Sequence, residues 1–135
     1  MTRQAVLDGE LVCVDDRGVS QFDDLMAARA PVVFFAFDIL LLDGEGLREK
    51  PCIERKGVLK ELVEGGAPRL HFVDHIEGDG VDLFGMICER YMEGIVAKPR
   101  DSPYRQVNGR TPWIKIKNPS YSQAEDRGEW FDTGV

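Results

Sequence analysis

Val32-Val33-Phe34-Phe35-Ala36-Phe37-Asp38-Ile39-Leu40-Leu41-Leu42 is the stretch on which the fold turns. Its residues are β-branched, aromatic and aliphatic without a helical period. Pro31 precedes it and Asp43-Gly44 follows as a turn. Such a run reads as a central strand buried on both faces. Asp38 is its one charge.

Working outward, Ala5 to Val14 reads as a strand. Val6, Asp8, Glu10, Val12 and Val14 share one face; Leu7, Leu11 and Cys13 share the other. Two acids in the middle of an apolar face are unusual. Asp15-Asp16-Arg17-Gly18 is a turn signal, and Ser20 with Asp23 caps a short helix bearing Phe22, Leu25 and Met26. Toward the C-terminus, Ile53 to Glu64 is an amphipathic helix with Val58, Leu59, Leu62 and Val63 on one stripe, ended by Gly65-Gly66. Arg69 to Ile76 is a strand and Asp79-Gly80 a turn. Val81 to Met92 is a helix with Leu83, Phe84, Ile87, Cys88 and Tyr91 on one stripe. Gly94 to Lys98 and Trp113 to Lys117 are short strands. The pattern predicts an α+β fold: mainly antiparallel β-sheets with two or three flanking helices.

The chain has 135 residues, 43% hydrophobic and 30% charged, which suits a soluble globular domain with a core and excludes a large multidomain machine. Its net charge is −7 and its pI is about 4.8, against coating nucleic acid by bulk charge. The charge is uneven. From Lys98 to Lys117 the six bases Lys98, Arg100, Arg105, Arg110, Lys115 and Lys117 face only Asp101. That stretch carries +5, and the remainder, with 11 bases against 23 acids, carries −12. No targeting or membrane segment is expected: the longest strongly apolar run, Val32 to Phe37, is far short of the roughly 20 residues of a span. Cys13, Cys52 and Cys88 have no CxxC spacing and read as reduced thiols of a cytoplasmic protein.

Several constellations could carry chemistry. Alternation in Trp113-Ile114-Lys115-Ile116-Lys117 turns Ile114 and Ile116 to the core and sets Lys115 and Lys117 on the other face, about 7 Å apart beside an indole. That is a phosphate-sized clamp or, more plainly, an edge strand with solvated lysines. Glu93 stands at a helix-to-strand junction before Gly94. A lone carboxylate there can hold Mg²⁺, which needs only one or two, or can be a surface Glu near a turn. Asp8 and Glu10 can receive sugar hydroxyls or a metal, or line an exposed face. Of Phe34, Phe35 and Phe37, mostly core by type, one at a pocket wall could stack on a purine, a contact worth about 1–3 kcal/mol. Tyr104, Arg105, Asn108, Gly109 and Arg110 form a basic, turn-rich loop suited to phosphates, or merely solvated. His71 and His75 lack a third ligand nearby, so no metal site is expected of them.

The order of these pieces is more specific than any one. Asp8-Gly9-Glu10-Leu11-Val12, Phe34-Phe35-Ala36-Phe37-Asp38-Ile39-Leu40, Glu93-Gly94-Ile95-Val96-Ala97-Lys98 and Trp113-Ile114-Lys115-Ile116-Lys117 resemble motifs III, IIIa, IV and V of the ATP-dependent DNA ligases. The ligase domains of bacterial end-joining enzymes look most similar, also through Ser102-Pro103-Tyr104-Arg105. The resemblance implies a partial nucleotidyltransferase fold: residues 1–119 as the later part of an adenylation domain and 120–135 as a tail toward an OB-fold domain. It implies ATP (or AMP) and Mg²⁺ as cofactors and nicked double-stranded DNA as partner. By motif position, Glu10 would bond the ribose, Phe37 would stack on adenine and Glu93 would support Mg²⁺. Lys115 and Lys117 would contact the α-phosphate, with Lys98 and Arg110 as further phosphate or DNA contacts.

The family's nucleophile is the lysine of a Lys-x-Asp-Gly motif upstream of motif III. None of Lys50, Lys56, Lys60, Lys98, Lys115 and Lys117 is followed by x-Asp-Gly. The arginine after that motif and the OB-fold domain are also missing from these residues. The expectation is therefore a ligase module inactive alone, needing a separate chain with the Lys-x-Asp-Gly half and OB domain. The alternatives are a non-catalytic nucleotide- or DNA-binding remnant, or an inert fragment. A module that needs its other half should expose apolar surface, for which Val6, Leu7 and Val12 are the residues to inspect.

Overall fold

In the Asp-Gly turn after the long strand, Asp43 and Gly44 both have positive φ, 48° and 85°. Leu42 pairs with Glu45 across it, so this is the two-residue loop that an Asp-Gly pair favours. The Asp43 carboxylate accepts from the Gln4 amide at 3.0 Å and from Arg3 Nε at 2.9 Å. Those two donors hold its pKa below the usual carboxylate value.

The computed structural model describes residues 3–13, 32–90 and 92–121. The turn at Asp15, the helix capped by Ser20, Val14 and Tyr91 lie outside the described residues, as does the tail beyond Tyr121. The chain forms two units: Met1–Asp74 with Arg100–Tyr104, and His75–Pro99 with Arg105–Val135.

In the first unit, β2 (Val32–Leu42) is central. β1 (Ala5–Cys13) and β3 (Glu45–Gly46) pair with it antiparallel, and β4 (Leu70–Phe72) pairs with it parallel. The parallel pair arises because helix α1 (Cys52–Glu64) carries the chain back between β2 and β4. Pro51 precedes α1, where its missing N–H is not needed, and Gly65 follows it. The stripe expected on α1 is the one that packs. Leu59 is fully buried with Ala36, Ile39 and Leu47, and Val58, Leu62, Val63, Phe34 and Phe72 close around them.

β4 is shorter than the strand expected from Arg69 to Ile76. It follows β2 only along Phe34–Ala36, with a last bond from Val73 N to Ala36 O at 2.9 Å. The next residue of β2, Phe37, is the extra residue of a β-bulge.

In the second unit, α2 (Gly80–Glu89) packs against β5 (Gly94–Ala97), which pairs antiparallel with β6 (Ile114–Lys117). Leu83, Phe84, Ile87 and Cys88 are half-buried, and no residue of α2 is fully buried. Met92 lies beyond the helix expected to include it. Its carbonyl and that of Glu93 accept from Asn118 instead of continuing the helix.

The expectation for the isoleucines of the last strand is overturned. Ile114 and Ile116 do not face a core; they are 62% and 38% exposed. The register puts Ile95 opposite Ile116 and Ala97 opposite Ile114, so these four share a face of a two-stranded ribbon. Among the described residues no third strand joins that ribbon to build a core there.

Candidate functional site

Glu10 and Phe37 belong to the first unit, where β1 meets β2 at a bulge. Gly9 pairs with Ala36 and Asp8 with Asp38, leaving Phe37 as the extra residue between them. A second register shift leaves out Leu40. Bulges of this kind bend a strand and re-aim its side chains. Gly9 makes the approach possible. A Cβ there would run into the Phe35 carbonyl oxygen and would lie 2.7 Å from Phe34 Cζ and 2.9 Å from Ala36 Cα. Glu10 pairs with Phe35, one step from the bulge, and both Glu10 and Phe37 are half-buried. Phe35 stacks on His71 of β4 with ring centroids 5.2 Å apart.

Under this sheet lies a buried polar network that periodicity did not reveal. Arg55 is fully buried and holds Asp38 with two bonds, Nε to Oδ1 at 2.7 Å and Nη2 to Oδ2 at 3.0 Å. Its Nη1 donates to the carbonyls of Lys50 and Ser102. The Tyr104 hydroxyl donates to Asp8 Oδ2 at 2.6 Å, and the Arg48 and Arg55 guanidiniums each lie 5.8 Å from its ring. Burial, then the bond to Asp8, keep this phenol well above its usual pKa, so it stays a donor. Tyr104 therefore packs inward, whereas the sequence reading put it in a loop facing phosphates or solvent. Two signals marked the network: Asp38 is the one charge of β2, and Arg55 stands one turn before Leu59 on the apolar stripe.

Glu93, Lys98, Lys115 and Lys117 belong to the second unit. Gly94 pairs with Lys117 and Val96 with Lys115, so both lysines lie on one face of the ribbon, opposite the isoleucines. Lys98 Nζ sits 3.9 Å from the centroid of Trp113, at the end of that face. Gly94 permits the close pairing. A Cβ on it would collide with the Ile116 carbonyl oxygen and reach 3.0 Å from Lys117 Cα. Glu93 precedes Gly94 and is tied to β6 through its carbonyl, which accepts from Asn118 N at 2.7 Å. Arg110 is exposed at the foot of a small hairpin, where Val107 and Arg110 exchange backbone bonds across Asn108-Gly109.

Among the described residues no group of three or more His, Cys, Asp or Glu is placed to hold a metal. A single carboxylate such as that of Glu93 suits Mg²⁺, which is held largely through a nucleotide's phosphates and its own waters. It does not fit a dedicated protein cage such as zinc requires. Cys13 and Cys52 are buried and Cys88 is half-buried. No helix among the described residues is long and apolar enough to cross a membrane.

The α+β scaffold that carries these residues agrees with the nucleotidyltransferase-like fold of the solved ligase domains it resembles. Residues 1–117 match the family model for the ATP dependent DNA ligase domain, and the chain belongs to that family. It is 39% identical over 114 residues to the multifunctional non-homologous end joining protein LigD of Mycolicibacterium smegmatis, covering 83% of this chain and 15% of that one. It is 33% identical over 125 residues to the SPbeta prophage-derived DNA ligase-like protein LigB of Bacillus subtilis, covering 87% of this chain and 46% of that one. The ligase domain of M. tuberculosis LigD superposes with a TM-score of 0.72 at 34% identity, covering 85% of this chain and 38% of that domain. A mycobacterial DNA ligase D complexed with ATP and MES gives a TM-score of 0.73 at the same identity. The chain thus spans less than half the length of these relatives.

Proposed function

We propose that this chain is the later part of a ligase adenylation domain, binding ATP or AMP and nicked double-stranded DNA for phosphodiester bond formation in DNA repair, in the cytoplasm. The observation that carries the reading is the β5–β6 ribbon, with Lys115 and Lys117 on one face and Glu93 immediately before β5, its carbonyl bonded to Asn118 N. Glu10 bonds the ribose and Phe37 stacks on adenine from the bulged strand. Lys115 and Lys117 neutralise the α-phosphate, and Lys98 and Arg110 add phosphate or DNA contacts. Fixed positive groups of this kind stabilise the charge that develops during phosphoryl transfer. Glu93 supports Mg²⁺, which when bound shields the phosphates.

The 135 residues contain no Lys-x-Asp-Gly, so the attacking amine comes from polypeptide outside them. In the family reaction that amine bonds to the α-phosphorus and pyrophosphate leaves. The uncovered Ile114 and Ile116 suit a module with a further piece to pack on. On β1, Val6 is 50% exposed, Leu7 half-buried and Val12 buried, so apolar exposure there is confined to the strand's start and Leu11.

The test has two arms. Incubation with α-labelled ATP and Mg²⁺ should leave no AMP on this chain alone; a stable lysine adduct would overturn the missing-nucleophile reading. Mixing with a separately expressed polypeptide bearing Lys-x-Asp-Gly and the OB domain should restore nick sealing. ATP binding without sealing at any ratio favours the second reading, a non-catalytic nucleotide- or DNA-binding module.

A further inference from the structure

We infer that Asn118, immediately after the last strand, is the positioning residue that fixes the backbone at Glu93 onto the end of the β5–β6 ladder, an inference that rests on the proposed role of Glu93 with Mg²⁺ and nucleotide. Nothing in the hydropathy pattern singled Asn118 out; by sequence it opens a tail of little periodicity. In the structure it is only 1% exposed. Its Nδ2 donates to the Met92 carbonyl at 2.9 Å, and its backbone N–H donates to the Glu93 carbonyl at 2.7 Å. Its Oδ1 accepts from Ser120 N at 3.0 Å, and its own carbonyl accepts from Tyr121 N at 3.2 Å.

These bonds have a direction. Two pull consecutive carbonyls of the Met92–Glu93 step onto the end of β6, and two brace Asn118 from its other side. The register already puts Gly94 opposite Lys117. Asn118 therefore extends the ladder by one place and holds Glu93 across from the residue after Lys117. Asparagine suits the position because one end of its amide donates while the other accepts. Aspartate is nearly the same shape but offers no donor to the Met92 carbonyl, and alanine loses both side-chain bonds. A buried group left without its partner is costly, so either change loosens the junction first.

Partners that orient a ligating side chain typically change metal affinity 10–100-fold when removed. The test measures ATP affinity of the 135-residue chain by calorimetry with and without Mg²⁺, for wild type, Asn118→Asp, Asn118→Ala and Glu93→Gln. Asn118→Asp should cut the Mg²⁺-dependent gain in ATP affinity by about tenfold, as Glu93→Gln does, and change metal-free affinity by less than about twofold. A purely structural role would lower both affinities together, and an unchanged Mg²⁺ gain would likewise overturn the inference. Should Asn118→Ala fail to fold, Asn118→Asp carries the test. A wild-type chain with no Mg²⁺-dependent gain sinks the proposed role of Glu93, and hydrogen exchange then decides whether Asn118 sets the junction. The amide at position 118 should lose protection by about tenfold in Asn118→Asp while the β5–β6 ladder amides keep theirs. Retained protection at 118 would refute the positioning role.

Discussion

The two units hold themselves together by different means. The first has a closed apolar centre of Ala36, Ile39, Leu47 and Leu59, with the Asp38–Arg55 pair buried beside it. The second has half-buried α2 side chains, a two-stranded ribbon with isoleucines exposed on one face, and buried Asn118 and Tyr121 at its end. A two-stranded ribbon is marginal by itself in water. The contrast separates two tasks. Glu10 and Phe37 lie on the sheet of the packed first unit, whereas Lys115 and Lys117 lie on the ribbon whose isoleucine face is exposed.

The comparison can be broken most severely at Arg55. Arg55→Met leaves the Asp38 carboxylate buried without its partner, and removing one member of a buried pair costs about 3–5 kcal/mol. Urea unfolding should show that loss; adding Asp38→Leu in the same chain should recover part of it. A loss below about 1 kcal/mol in the single variant would place the pair among weak surface contacts.

A smaller effect sharpens the contrast between the units. Gly9→Ala forces a methyl into the Phe35 carbonyl and the Phe34 ring, and Gly94→Ala forces one into the Ile116 carbonyl. Overpacking of this kind costs about 1–3 kcal/mol. Gly9→Ala should lower the global unfolding midpoint. Gly94→Ala should chiefly speed amide exchange in residues 94–97 and 114–117 and leave β1–β2 exchange in place. Equal global loss from both would mean that the units unfold as one.

The smallest effect is at the Asp43 turn. The bonds from Gln4 and Arg3 lower the folded pKa of Asp43 below the ordinary carboxylate value. A depressed folded pKa contributes stability that is complete above the unfolded pKa and disappears as pH falls through the folded one. Asp43→Asn should therefore differ from wild type at pH 6 and converge with it toward pH 2, read as unfolding midpoints. A difference that stays constant across that range would remove the carboxylate from the explanation.

Much of this is legible in the sequence. β2 begins at Val32 and ends at Leu42 as its composition and flanking Pro31 and Asp43-Gly44 required, and the α1 stripe is the packed one. The ordered motifs identified the ligase family from the chain alone. Arg55 and Asn118 escaped because hydropathy scores a charged or polar residue as exposed unless its partner is known. Their partners lie 17 and 26 positions away. Ile114 and Ile116 misled for the converse reason: alternation fixes which residues share a face, not whether anything covers it.

The sequence by itself determined the family, the central strand, the two helices and the pairing of Lys115 with Lys117 on one face. The family follows from the resemblance of the ordered motifs, and the elements follow from local composition and the periods of strand and helix. Only the tertiary structure decided that Phe37 is a bulge residue, that Arg55 and Tyr104 are claimed by Asp38 and Asp8, and that Asn118 holds the Glu93 junction. Each of these depends on which distant backbone lies within a hydrogen bond, and that is set by folding rather than by neighbours in the chain.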